Sequence, residues 1–139
     1  MRLISLSEHK TRLIAKRFAQ RLTGGDVLGL IGNLGAGKTV FVKGLAAGLG
    51  IKKNIASPTF VLMKIYPIPG PRQIKFLVHV DACRIKSSKD LLAVGAQEYF
   101  NRPDTVVAIE WADKIKKILP KKTKLIAISN KNGARVIKL

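Results

Sequence analysis

The pattern of apolar and polar residues along the chain predicts helices that alternate with strands. Apolar residues recur at helical spacing up to Leu22, which predicts an amphipathic helix packed on a sheet. Ser5 and Glu8 have the spacing of a capping box at the start of that helix. The apolar run 27–31 predicts a buried strand, and the apolar residues that follow predict a second helix ending at Gly50. This order of elements indicates an α/β fold.

The middle of the chain predicts that the sheet is mixed. Strands over 60–66 and 74–81, joined by the proline- and glycine-rich turn 67–71, favour an antiparallel pair. A short helix is expected over 87–94, where serines stand at its start and a glycine follows its end. Residues 105–109 are apolar and mostly β-branched, as in a buried strand.

The C-terminal part predicts one more helix and a hairpin. Four apolar residues at helical spacing define one face of a helix that Pro120 closes: Trp111, Ile115, Ile118 and Leu119. Strands over 124–129 and 135–139 are joined by Asn132-Gly133, a pair typical of a tight hairpin. Together the elements predict a single domain over residues 1–139, with three α/β/α layers around a mixed parallel and antiparallel sheet.

The strand 27–31 leads directly into a phosphate-binding motif. Gly32 to Thr39 read Gly-Asn-Leu-Gly-Ala-Gly-Lys-Thr and fit G-x-x-x-x-G-K-[ST], so the fold is expected to be P-loop NTPase-like. The backbone N–H groups of this loop would surround a β-phosphate, Lys38 would reach the β and γ oxygens, and the Thr39 hydroxyl would bind Mg²⁺. The predicted nucleotide contacts are Asn33, Leu34, Gly35, Ala36, Gly37, Lys38, Thr39, Val40, Thr59 and Trp111.

Few acidic residues are candidates for binding Mg²⁺, because the chain has only eight Asp and Glu residues. Asp81 ends the strand 74–81 and Glu110 follows the strand 105–109, so both are predicted to be Mg²⁺ ligands and, with Lys38, catalytic residues. Alternatives stay open for each. Asp81 would also suit a helix cap or an ion pair with a nearby arginine. Glu110 would also suit a helix cap, a ligand acting through water, or a residue that orients the attacking water.

Three other residues have two readings each. Thr59, in Ser57-Pro58-Thr59, lies where many P-loop proteins have a switch that senses the γ-phosphate, but the tripeptide also suits a turn before a strand. His79 is expected in the core or in support of a ligand. Trp111 would contact the nucleotide or belong to the core.

Composition and charge limit the function classes without choosing one. The 26 Lys and Arg residues give a net charge of +18 and attract polyanions such as RNA or acidic proteins, although lysines spread along the whole chain also suit compositional drift. No apolar run approaches the roughly 20 residues that span a bilayer, and no signal-peptide core is recognised. Cys83 is the only cysteine, which excludes a disulfide. A cytoplasmic protein without a membrane partner is expected.

The ordered motifs resemble one family over nearly the whole chain. After the P-loop come Ser57-Pro58-Thr59-Phe60, then His79-Val80-Asp81 with Arg84, and then Ile109-Glu110-Trp111. This set is similar to that of the TsaE (formerly YjeE) family, the small bacterial ATPases of tRNA threonylcarbamoyladenosine synthesis. Two positions depart from the usual pattern: Asn33 stands where Asp or Glu is common, and Cys83 where Tyr is common.

The resemblance implies an ATP- and Mg²⁺-dependent enzyme that hydrolyses ATP weakly alone and acts with the TsaB–TsaD heterodimer. That complex modifies the adenosine next to the anticodon of tRNAs, and ATP turnover by TsaE would reset it. By motif match, Thr39 is the implied Mg²⁺ ligand, and Asp81 and Glu110 are the implied acidic residues. Contact with tRNA would come through the complex, with direct contact allowed by the charge. The alternatives are a small P-loop phosphotransferase or kinase, and a basic RNA-binding module that retains a nucleotide site.

Overall fold

The computed structural model describes residues 1–33, 35–56, 63–85 and 95–139. These residues contain seven strands, two α-helices and two 3₁₀ helices. The strands are β1 (Arg2–Ser5), β2 (Val27–Ile31), β3 (Met63–Pro67), β4 (Phe76–Asp81), β5 (Thr105–Glu110), β6 (Lys124–Lys131) and β7 (Ala134–Lys138). The α-helices are α1 (Glu8–Ala19) and α2 (Lys38–Gly48), and the 3₁₀ helices are Ala96–Tyr99 and Ala112–Ile118.

The strands form one mixed sheet in the order β1-β7-β6-β2-β5-β4-β3. The four central strands β6, β2, β5 and β4 run parallel, while β3, β7 and β1 pair antiparallel at the two sides. The predicted mixed sheet, including the antiparallel pair β3–β4, is therefore confirmed. Because the central strands are parallel, their carboxyl ends lie at one edge of the sheet. In the β4–β5 register Asp81 lies opposite Glu110 at that edge.

Each central strand contributes to two cores, because successive side chains point to opposite faces. One face packs under α1 and α2 and includes Leu28, Leu77 and Ala108. The other face packs under the two 3₁₀ helices and includes Val78 and Val107. This arrangement confirms the predicted three-layer α/β/α architecture.

Two glycines of α2 allow the two α-helices to touch through their backbones. A Cβ on Gly44 would lie 2.5 Å from the carbonyl oxygen of Arg12, and one on Gly48 would lie 2.7 Å from the Cβ of Ala19. An alanine would fit at neither position unless α1 moved away. The two glycines, four residues apart on α2, therefore allow the short distance between the helices. Sequence analysis placed the first helix on the sheet, whereas α1 packs chiefly on α2.

The predicted capping box at the start of α1 is wrong. The N-cap is Ser7, whose hydroxyl oxygen accepts the N–H of Lys10 at 3.0 Å. The Ser5 hydroxyl instead lies 2.7 Å from the Thr11 hydroxyl, because Ser5 belongs to β1, a strand that the sequence pattern did not predict. The helix also ends at Ala19, three residues before the predicted end.

The predicted helix after residue 111 is also wrong in type. The segment Ala112–Ile118 is a 3₁₀ helix interrupted by non-helical geometry at Ile115, although Ala112 and Ile115 are buried as an apolar face requires.

The Asn132-Gly133 hairpin and the end of α2 before Gly50 agree with prediction. The predicted helix over 87–94 and the strand residues 60–62 lie outside the described residues. Within the described part of the chain, no helix is long and apolar enough to cross a membrane.

Candidate nucleotide-binding site

Asp81 and Glu110 lie on the same face of the sheet, because successive side chains of a strand point to opposite faces. On β4, Leu77, His79 and Asp81 point to the same face of the sheet, and on β5 Glu110 points to that face as well. That face lies beneath α2, whose first residues, Lys38 and Thr39, stand at the same edge of the sheet. The fold therefore brings the predicted catalytic and metal-binding residues to one place.

Both oxygens of the Glu110 carboxylate already have partners. The Thr39 hydroxyl donates to Oε1 at 2.8 Å, which ties β5 to the start of α2. The other oxygen, Oε2, lies 2.5 Å from Nε2 of His79. His79 is fully buried and Glu110 nearly so, and within the described residues the second ring nitrogen of His79 has no hydrogen-bond partner. His79 thus holds the carboxylate from beneath, the supporting role that was one of its two readings.

The P-loop folds around the Lys38 ammonium. Its Nζ donates to the carbonyl oxygens of Gly32 at 2.5 Å and Asn33 at 2.9 Å, so the side chain bends back over the loop. Burial lowers the pKa of Lys38 below its ordinary value, while the negative charge of Glu110, the largest of the opposing influences, raises it. The ammonium is therefore short of solvation and attracts an anion strongly.

Trp111 lies beside this lysine and also packs against the core on the side of the two 3₁₀ helices. Its backbone has a left-handed conformation with φ of 60°. The Lys38 Nζ is 4.0 Å from the centre of the indole ring, within range of a cation–π contact. Both readings of Trp111 keep support, because the residue packs against the core and also lines the pocket.

A pocket of about 360 Å³ unites most of the predicted residues. Its lining includes Gly35, Gly37, Lys38, Thr39, Val40, Asp81, Glu110 and Trp111. Asn33 and Ala36 belong to the loop but are not among the described lining residues, and Asn33 takes part through its carbonyl oxygen. Asp81 Oδ1 accepts the N–H of Cys83 at 2.9 Å, which closes a local turn after β4. Leu34 and Thr59 lie outside the described residues.

The donor set suits a magnesium ion that arrives with a phosphate. Thr39, Glu110 and Asp81 offer hydroxyl and carboxylate oxygens, the hard ligands that Mg²⁺ prefers. Over residues 1–33, 35–56, 63–85 and 95–139, no three His, Cys, Asp or Glu side chains are grouped to hold a metal by themselves. Mg²⁺ commonly binds through one or two carboxylates, water and substrate phosphates, so this small donor set fits it.

Three residues of this pocket escaped sequence analysis, and one of them is Cys83 in the turn after β4. Arg135 belongs to β7, and a Cβ on Gly37 would lie only 3.0 Å from its Nε, so the guanidinium covers the P-loop. Glu8, the first residue of α1, lines the same pocket. Because Arg135 stands 98 residues after Gly37 (135 − 37 = 98), only the return of β7 along the sheet brings it to the loop. With 26 basic and 8 acidic residues in the chain, charge alone could not single out this arginine.

The sequence of the chain also matches a known protein family. The sequence model of the family described as Threonylcarbamoyl adenosine biosynthesis protein TsaE matches residues 5–137. The chain belongs to the TsaE family. The resemblance seen in the motifs is therefore confirmed, and it covers the P-loop, the His79-to-Asp81 segment and the Glu110-Trp111 pair together.

Individual proteins agree with the TsaE assignment. The chain is 39% identical over 128 residues to the Treponema pallidum (strain Nichols) protein named tRNA threonylcarbamoyladenosine biosynthesis protein TsaE, covering 92% of this chain and 90% of that one. It is 40% identical over 124 residues to the protein of that name from Bacillus subtilis (strain 168), covering 89% and 74%. The crystal structure of YdiB from Bacillus subtilis superposes with a TM-score of 0.80 at 34% identity, over 99% of this chain and 82% of that one.

Proposed function

We propose that this protein binds ATP with Mg²⁺ and hydrolyses it, as the nucleotide-driven component of tRNA threonylcarbamoyladenosine synthesis. The single observation that supports this most strongly is the convergence of Lys38, Thr39 and Glu110 at the carboxyl edge of the parallel strands. Membership of the TsaE family supplies the pathway. ATP in place of GTP rests on the family resemblance.

Lys38 is the residue that would exchange its partners when the nucleotide binds. Its Nζ donates to two backbone carbonyls, which are weaker acceptors for an ammonium than charged phosphate oxygens. An entering β/γ-phosphate group would offer the buried ammonium a negative charge, and the backbone N–H groups of the loop would add further donors. Lys38 would thus stabilise the charge that develops on the γ-phosphoryl group.

Thr39, Glu110 and Asp81 would hold the metal. The Thr39 hydroxyl and Glu110 Oε1 are 2.8 Å apart, so both oxygens face the same point, and we assign them the closer ligand positions. Asp81 lines the same pocket and would act directly or through water. The bound Mg²⁺ supplies neutralisation of negative charge on the phosphates. His79 would keep Glu110 in place during this exchange of partners.

Protein partners are part of this proposal. We assign the chain to an assembly with the TsaB–TsaD heterodimer, in which ATP turnover resets the complex after a tRNA has been modified. The fold carries its nucleotide pocket at an open edge of the sheet, where a partner can reach it. Contact with tRNA would be secondary to this protein contact, despite the net charge of +18.

Reconstitution with TsaB and TsaD tests the proposal. We expect weak ATP hydrolysis by the isolated protein, stimulation by the heterodimer, and repeated rounds of tRNA modification only when ATP can be hydrolysed. Lys38→Ala should abolish hydrolysis, whereas Lys43→Ala, on the same helix but outside the pocket, should not. Normal hydrolysis by Lys38→Ala would contradict the assignment of the P-loop.

The two alternatives have their own signatures in the same experiment. ADP production that depends on a small hydroxylated acceptor would indicate a phosphotransferase. Salt-sensitive tRNA binding by the isolated protein, unchanged by ATP, would indicate an RNA-binding module.

A further inference from the structure

The outer edge of β1 can accept another strand. Among the described residues, β1 stands first in the order of the sheet and pairs with β7 alone. Met1 and Leu139 exchange both backbone hydrogen bonds, at 3.3 and 2.9 Å, so the alternation of an antiparallel pair turns the backbone of Leu3 toward β7 as well. The N–H and C=O groups of Arg2 and Ile4 therefore point away from the sheet, where an extended segment could pair with them.

An apolar pocket of about 320 Å³ lies beside this edge, between β1 and α1. Met1 and Ile4 line it and are 73% and 58% exposed. Leu3 also lines it and packs toward the core under α1, so a side chain placed next to Leu3 by an added strand would point to the same face and reach the pocket. The remaining apolar walls are Ile14, Phe18 and Leu139.

The charges around this pocket are all of one sign. Its described lining contains three charged side chains, all basic and all exposed: Lys10, Arg17 and Arg21. Lys10 and Arg17 are seven residues apart, which is two turns of α1, so they share one face of the helix. An apolar pocket surrounded by cations favours a ligand that has an apolar group between carboxylates.

We propose that the β1 edge and this pocket form a docking surface for an extended segment of a protein partner. The segment has an apolar residue, with acidic residues two positions before and after it. Its backbone would pair with Arg2 and Ile4, and its apolar side chain would enter the pocket. The acidic side chains point to the same face as the apolar one and would meet the basic side chains of α1.

The edge of β1 distinguishes this occupant from two others. An anionic lipid has no backbone groups to pair with Arg2 and Ile4. A second copy of this chain would bring another net charge of +18 and another Arg2 to the same edge, which disfavours pairing. The pocket shares no lining residue with the nucleotide pocket, so the inference goes beyond the proposed ATP chemistry and does not depend on it.

A synthetic peptide tests the proposal. The probe is acetyl-Thr-Glu-Thr-Phe-Thr-Glu-Thr-amide, which places Glu, Phe and Glu on one face and has the same sequence in both directions. Nuclear magnetic resonance would follow the amide hydrogen exchange of the labelled protein during the titration. We expect saturable binding that slows exchange at Arg2 and Ile4, because their N–H groups gain acceptors, and leaves Leu3 unchanged.

Peptide variants test strand pairing and the pocket without altering the protein. N-methylation of every second peptide nitrogen gives two variants, of which only one keeps the N–H groups directed at β1. We expect these two to differ in affinity by at least about tenfold, the effect of losing two hydrogen bonds. Replacing Phe with Ser should weaken binding by about tenfold or more, because the pocket is left unfilled. Equal affinities of the two methylated peptides, or of the Phe and Ser peptides, would overturn the proposal.

Charge reversal on α1 tests the electrostatic part. Arg17→Glu should weaken binding of the peptide by about 5- to 10-fold, because it exchanges an attraction for a repulsion. Lys16→Glu is the matched control, since Lys16 is the neighbouring exposed cation but does not line the pocket, and we expect a change of less than about 2-fold. Equal losses for the two variants would indicate general attraction to a basic protein and contradict a defined surface.

The other occupants are separate outcomes of the same measurements. Tighter binding of decanoate than of the peptide, with unchanged exchange at Arg2 and Ile4, would assign the pocket to an anionic lipid. Dimerisation that protects these two amides without peptide would assign the edge to a second copy. Either result would overturn the proposal, as would the absence of saturable peptide binding up to about 1 mM.

Discussion

The buried contact between His79 and Glu110 allows a quantitative prediction. His79 is fully buried, its Nε2 lies 2.5 Å from Glu110 Oε2, and only 4% of the Glu110 side chain is accessible. Replacing His79 with Ala leaves the Glu110 charge in a poorly solvated position. Leaving a buried carboxylate without one hydrogen-bond partner costs about 1–3 kcal/mol, and the cavity left by a buried side chain adds about 2 kcal/mol. Because Thr39 still donates to the other carboxylate oxygen, we expect a loss of about 4 kcal/mol in the free energy of unfolding.

A double-mutant cycle isolates the electrostatic part of this loss. Glu110→Gln removes the charge, so His79→Ala in that background should cost only the lost packing and the cavity left behind, about 2 kcal/mol. The difference predicts a coupling energy of about 2 kcal/mol. Urea unfolding followed by circular dichroism, with linear extrapolation to water, measures all four proteins.

The same unfolding experiment provides a control variant and defines the result that would refute the prediction. His9, the other histidine, is exposed on α1, so His9→Ala should leave the unfolding midpoint nearly unchanged. If His79→Ala cost the same in both backgrounds to within about 0.5 kcal/mol, the two residues would be energetically independent. The supporting role assigned to His79 would then be wrong.

Three further predictions concern packing, ligand binding and the metal. Gly44→Ala should lower the free energy of unfolding by about 1–3 kcal/mol in urea titrations, because the added methyl group would meet the backbone of α1. Ala47→Ser, on the exposed face of α2, is the control and should have little effect. Trp111 is the only tryptophan, so ATP binding beside Lys38 should change the intrinsic fluorescence of the protein; an unchanged spectrum at saturating ATP would contradict the placement of Trp111 at the site. Glu110→Gln should raise the Mg²⁺ concentration needed for half-maximal hydrolysis by about tenfold, because it removes a proposed carboxylate ligand. An unchanged requirement would contradict that role of Glu110 and favour Asp81 as the main acidic ligand.

The amino-acid sequence determined the central part of this protein. A strand, a glycine-rich loop and a helix follow one another in the chain, so the P-loop motif could be recognised from adjacent residues. Asp81 and Glu110 could be placed at one edge because parallel strands with regular alternation leave few choices for a residue at a strand end. The Asn132-Gly133 hairpin likewise depends on the conformational preferences of two neighbouring residues.

Tertiary structure decided what long-range contacts control. The strand β1 is too short to be recognised in the sequence and forms because β7 offers it an antiparallel partner, so Ser7 replaces Ser5 as the helix cap. The segment Ala112–Ile118 is a 3₁₀ helix although its apolar spacing suits an α-helix, since packing against the sheet overrides a weak local preference.

The residues of the candidate site also fall into those that the sequence predicted and those that only the fold revealed. The position of Lys38 and Thr39 at the pocket was predictable, because both belong to a motif of adjacent residues. The His79–Glu110 contact and the approach of Arg135 to Gly37 were not predictable, because each joins residues from separate elements whose distance in the chain is unrelated to their distance in space. A local motif could therefore indicate that a phosphate binds, whereas only the folded sheet shows which side chains surround the remainder of the pocket.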